Sequence, residues 1–110
     1  MDWSKEINFA ITVSDKDGKI IEMNDKSAET FSNYGGFELL GKSLFECHKP
    51  NSGEKIREIG NTLLTNAYTI EKNGLKKLIL QTPWYKDGVF AGLVEISLVL
   101  PDNMPHFIRK

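Results

Sequence analysis

The chain has a single cysteine, no surplus of charge of either sign and no long apolar run. Cys47 alone cannot close a disulfide within the chain, which excludes a disulfide-built scaffold and fits a reducing compartment. Its 14 basic and 15 acidic residues leave a formal charge of −1, whereas nucleic-acid binding draws on a basic face. Only Lys72, Lys76 and Lys77 stand close together, around a turn, where a solvated hairpin end is the plainer reading. No stretch approaches the roughly 18 apolar residues that a membrane-spanning helix needs. The first residues, MDWSKEINFA, carry an early acid and no apolar signal-peptide core. A phosphate-cradling glycine loop and a nucleophile elbow are missing as well. The expectation is a soluble, cytoplasmic, non-enzymatic protein.

What is present is a series of strands divided by turn dipeptides. Asp17-Gly18, Asn73-Gly74 and Asp87-Gly88 are each flanked by residues of strand character, and such pairs are strong hairpin signals. The first separates FAITVSD (9–15) from KIIEMN (19–24); in the former Phe9, Ile11 and Val13 alternate with Ala10, Thr12 and Ser14. The other two delimit strands over 67–72, 75–85 and 89–100. In the last, Phe90, Val94, Ile96, Leu98 and Leu100 are expected on one face, with Val89, Ala91, Leu93 and Val99 on the other. A strand apolar on both sides is central or covered on its outer face. Pro83 cannot donate to a sheet ladder and marks a bulge, an edge or a strand end.

Between the strand groups lies helical sequence. DKSAETFSN (25–33) predicts a short helix capped by Asn24 or Asp25, and residues 36–46 predict one or two short turns. The longest helix is expected over about 52–65, where Ile56, Ile59, Leu63 and Leu64 form one stripe. Asn51 and Glu54 there have capping-box spacing, and Gly60 interrupts the stripe. At 110 residues this makes a single α+β domain: a five-stranded antiparallel sheet with short helices packed on one face.

These residues resemble the PAS, or sensory-box, family. "VSDKDGKIIEMNDKSAETF" is similar to the opening of such a domain, with Asp15, Asp17, Gly18, Ile20, Asn24 and Ala28 in the strand, D-x-D-G turn, strand, Asn and helix order. "GGFELLGKSLFE" is similar to an E-L-L-G-K segment, and "CHKPNSGEKIREI" sits where members read H-P-D-D before their longest helix. The C-H-x-P-x-S run points to a small stand-alone branch. The resemblance spans about 7–100, with a short N-terminal cap at about 1–8, a core at about 9–100 and a tail at 101–110. It implies a sensory or interaction module with a pocket between the longest helix and the sheet, holding haem, flavin, a small metabolite or nothing, and commonly dimerising.

The pocket candidates are His48, Cys47, Phe45, Ile56, Ile59, Leu63, Tyr68, Leu80 and Trp84. The helix residues among them are expected to face Leu78, Leu80, Ile96 and Leu98, with Phe45, Tyr68 and Trp84 closing the ends and Gln81 and Thr82 as polar groups. The competing reading is a filled core. Cys47 and His48 are candidate haem ligands or a thiol sensor. Against this, zinc needs about four ligands, no C-x-x-C-H signature exists, and haem-binding members take their histidine from within the long helix, which His48 precedes. Helix punctuation at His48 is the plainer reading, with Cys47 packed as a small hydrophobe. Neither the N-C-R-F-L-Q run of light-sensing members nor a metal site is expected. Glu95, in the apolar last strand, would be a general base with raised pKa if buried; the plainer reading is an outer-face acid that pairs with a lysine or lies at an interface.

For partners, Trp3 and Ile7 would share one face of an N-terminal helix, which could cover the outer face of strand 89–100 in its own chain or in a homodimer. Pro101 and Pro105 disfavour a helix in the tail, so signalling is expected through a separate partner or dimerisation, the alternative being that the chain is part of a larger assembly.

Overall fold

The computed structural model describes residues 1–43 and 64–110. Its elements are β1 (Ala10–Ser14), β2 (Ile20–Met23), α1 (Asp25–Thr30), two 3-10 turns (Ser32–Tyr34 and Gly36–Leu39), β3 (Asn66–Lys72), β4 (Leu75–Lys86) and β5 (Val89–Val99). The strands form one antiparallel sheet in the order β2-β1-β5-β4-β3. Chain-end strands β1 and β5 therefore meet in the middle, with β2 and β3 at the two edges. The expected helix over 52–65, its Asn51–Glu54 cap and Gly60 lie outside the described residues.

Local chemistry explains the turns. The Asp15 carboxylate accepts from the backbone N–H of Asp17 at 3.0 Å and of Lys19 at 2.9 Å, closing the first hairpin on its own side chain. Asn73 and Gly74 have φ of 54° and 76°, and Asp87 and Gly88 have 52° and 80°. Two successive positive φ values define the tight turns whose twist matches that of paired strands.

Asn24 ties the domain's entrance together. It caps α1, its Oδ1 accepting from Ser27 N and from Ile11 N, both at 2.9 Å. Its Nδ2 donates to the carbonyls of Ser4 at 3.0 Å and Phe9 at 2.8 Å. One buried amide thus joins the N-terminal segment, β1 and α1. Residues 1–9 form turns and no helix, contrary to the expectation for Trp3 and Ile7. Ser4 and Lys5 are the residues bound to Asn24 and Asp25, and that anchoring sets an irregular path.

α1 defines the inner face of the sheet, because Ser27 Oγ meets Thr12 Oγ1 at 2.6 Å. A core of Ile20, Met23, Leu39 and Leu93, with Phe31 and Phe90 against it, fills this side below the second 3-10 turn. Each such buried side chain contributes about 1.5–3 kcal/mol.

The register settles which residues share that face. Thr12 pairs with Glu95, Glu95 with Gln81 and Gln81 with Asn66, so Glu95, Ser97 and Leu93 face inward. Val94, Ile96 and Leu98 face outward, the reverse of the pocket-facing side expected for them. Period-2 alternation separates two faces without saying which one the helices cover. Glu95 is likewise an inner-face acid and not an outer one. Phe90 departs from the alternation because β5 bulges: Trp84 pairs with Gly92 and Tyr85 with Phe90, skipping Ala91. Pro83 lies beyond the last β3 pair, at Gln81, where β4 has only β5 beside it.

The bulge brings β5 against the end of β1. A Cβ on Gly92 would stand 1.9 Å from the Ser14 carbonyl oxygen, so no other residue fits. Across it the Trp84 indole N–H donates to that same carbonyl at 2.9 Å.

Candidate functional site

The inner face beyond the apolar core is polar. Asn66 Nδ2 donates to Gln81 Oε1 at 3.0 Å, and Gln81 Nε2 donates to Glu95 Oε2 at 3.1 Å. Thr12 and Ser27 extend this row to α1. Five polar side chains therefore cross β3, β4, β5, β1 and α1 in one line, where a packed core would place aliphatic ones. Gln81 is 4% exposed and Thr12 6%. Burying such groups is tolerated only with partners present, and no buried side-chain N or O among the described residues lacks one.

Beside this row lies a groove of about 180 Å³. Ala10, Phe31, Ile70 and Ile79 give it apolar walls, while Thr12, Tyr68, Glu95 and Ser97 supply polar groups. Lys72 and Lys77 stand at one end. Desolvation pushes the Tyr68 phenol above the ordinary tyrosine range, and the negative charge of Glu95 adds to the effect. Tyr68 is thereby held as a neutral hydroxyl, able to donate or accept.

Of the residues singled out in the sequence, Tyr68 lines the groove and Gln81 belongs to its polar row. Leu80 does not join them: it pairs with Ile96 and lies on the opposite face, as do Leu78, Thr82 and Leu98. Thr82 Oγ1 bonds Thr65 there at 2.8 Å. By alternation from Gln81, Trp84 is also on that side, its indole committed to Ser14. Phe45, Cys47, His48, Ile56, Ile59 and Leu63 lie outside the described residues. The sequence reading missed Asn66, Thr12 and Ser27. The signal was present in the strands as polar residues at every second position, N66-x-Y68 and T12-x-S14, inside otherwise apolar runs. Among the described residues, no three His, Cys, Asp or Glu side chains come close enough to hold a metal ion, and no helix is long and apolar enough to cross a membrane.

Solved structures share this architecture. A sensory box sensor histidine kinase from Vibrio cholerae is 15% identical, with 89% of this chain and 86% of that one covered at a TM-score of 0.64. The PAS domain of histidine kinase ThkA is 18% identical, with 81% and 96% covered and a TM-score of 0.69. The Aer2 receptor from Vibrio cholerae, described as a dual PAS-haem oxygen sensor, is 15% identical, with 84% and 95% covered and a TM-score of 0.63. At these identities the likeness speaks to the fold alone. No curated protein matches the sequence. The family model described as PAS fold matches residues 4–73. That is more than half of the chain, and with the sheet order β2-β1-β5-β4-β3 in hand, the chain belongs to the PAS-fold family.

Proposed function

We propose that this domain is a cytoplasmic, non-enzymatic sensory module that binds a small molecule in the inner-face groove and reports its occupancy through association. The observation that carries the reading is the polar row Asn66, Gln81, Glu95 and Thr12 beside an apolar-walled groove. Small-molecule sites combine mostly apolar walls with a few placed polar groups. The solved relatives whose descriptions name sensor kinases and an oxygen sensor support a sensory role. A volume of about 180 Å³ lies below the roughly 300 Å³ at which drug-sized pockets begin. That size suits a small metabolite better than a haem macrocycle.

The outer face supplies a surface for association. Ile11, Ile96 and Leu80 are consecutive partners across three strands, and Leu78 pairs with Leu98 beside them. Trp3 is 65% exposed and Ile7 half-buried, so both could contribute to a homodimer or to docking of a signalling partner. A ligand shifts such an equilibrium only by its differential affinity for the two states.

Native mass spectrometry of freshly purified protein, set against its denatured mass, tests the reading. The expected result is extra mass that is lost on denaturation and absent in Ser97→Leu, whose longer side chain enters the groove. Retention of that mass by Ser97→Leu would place the ligand elsewhere.

A further inference from the structure

We infer that the groove selects a small organic anion, an alkyl or aryl carboxylate, whose charged end meets Lys77 and Lys72; this rests on the groove being the ligand site. Ile70 pairs with Lys77, and Lys72 lies two residues along β3 from Ile70, so both lysines share the inner face. Such diagonal neighbours stand about 7–8 Å apart, close enough to repel one another and to share one carboxylate. Lys77 is half-buried and also borders an adjoining recess of about 160 Å³ that includes Lys26.

Between described residues the ion pairs are Lys5–Asp25 and Lys26–Glu29, and neither engages Lys72 or Lys77. Glu71 is paired in register with Lys76 and so faces the other side of the sheet. Glu95, two pairs along the inner face from Lys77, accepts from Gln81. Between the two ends Ile70 and Ile79 offer an apolar floor, which suits a hydrocarbon body and not an inorganic ion. A groove of about 180 Å³ admits only a small body. A lysine is a compact charge without the planar fork of arginine, so recognition here depends on charge more than on planar geometry.

Isothermal titration calorimetry of the whole chain with hexanoate, 1-hexanol and hexylamine at low salt tests this. Hexanoate is expected to bind at least tenfold more tightly than either of the others. In the double variant Lys72→Met, Lys77→Met that preference should vanish while the affinity for 1-hexanol is kept. Thermal unfolding of the variant checks that the fold is retained. Equal or tighter binding of 1-hexanol or hexylamine would overturn the anion class while leaving the groove as a ligand site. Failure of all three to bind would also overturn it, and the native mass experiment then decides separately whether the groove holds any ligand.

Discussion

Replacing Asn24 tests the local architecture most sharply. The side chain is 5% exposed and uses its full capacity, two donated and two accepted hydrogen bonds. Asn24→Ala removes the cap of α1, worth about 1 kcal/mol. It also strands the Ile11 N–H, a part-buried donor whose loss of a partner costs about 1–3 kcal/mol. The Ser4 and Phe9 carbonyls lose one donor each but keep a second lone pair, adding smaller terms. The total is about 3 kcal/mol, which for a domain of this size lowers the melting temperature by roughly 12–24 °C. Asn24→Asp separates the contributions. It keeps both acceptor contacts but points a carboxylate at two carbonyls, so at pH 7 it should be clearly destabilised. At about pH 4 partial protonation restores one donor, and part of the stability should return. Urea unfolding at both pH values reads these differences. A loss under 1 kcal/mol for Asn24→Ala, or an Asn24→Asp variant equal to wild type at pH 7, would refute the reasoning.

Gly92→Ala drives a Cβ into the Ser14 carbonyl and should cost about 3 kcal/mol, at the upper end of overpacking penalties; spectrally resolved tryptophan fluorescence should show Trp84 more exposed to water. The Tyr68 phenol binds its proton more tightly folded than unfolded, so its contribution is present below its ordinary value of 10.0 and is lost as pH rises through the higher folded value. The stability difference between wild type and Tyr68→Phe, followed by denaturant unfolding, should therefore shrink above about pH 10. Ile96→Glu on the outer face should reduce association, read by sedimentation, without displacing a groove-bound ligand; an unchanged oligomeric state in a self-associating wild type would exclude this face.

Much of the fold was legible because it is written in local chemistry. Asn73-Gly74 and Asp87-Gly88 adopt the positive φ values their turns require, and Asn24 caps α1 as its residue type predicts. The five strands follow their apolar runs to within two residues at each end. What the sequence could not show was the handedness of the sheet's two faces. Val94, Ile96 and Leu98 are the more apolar set of β5, and hydrophobicity alone assigns them to the interior. The structure puts them outside because the Thr12–Ser27 contact fixes α1 over the other set. That contact spans 15 residues of sequence and has no periodic signature. The bulge at Ala91 parts Phe90, which packs on the inner core, from Val94, Ile96 and Leu98, and the reading missed this because alternation assumes an unbroken ladder. Consequently Tyr68 and Gln81 lie on the inner face with the groove, while Leu80 and Trp84 fall on the other side.

Occupation of the inner face of the sheet by a small molecule is the proposal on which the rest depends. Methyl-resolved NMR of the isotope-labelled protein tests it most directly, comparing spectra before and after addition of the small-molecule fraction released by denaturing freshly purified protein. Shifts are expected at Ala10, Ile70 and Ile79, with Ile11, Leu80 and Ile96 unmoved. Shifts confined to Ile11, Leu80 and Ile96 would contradict it, because the ligand would then sit on the outer face.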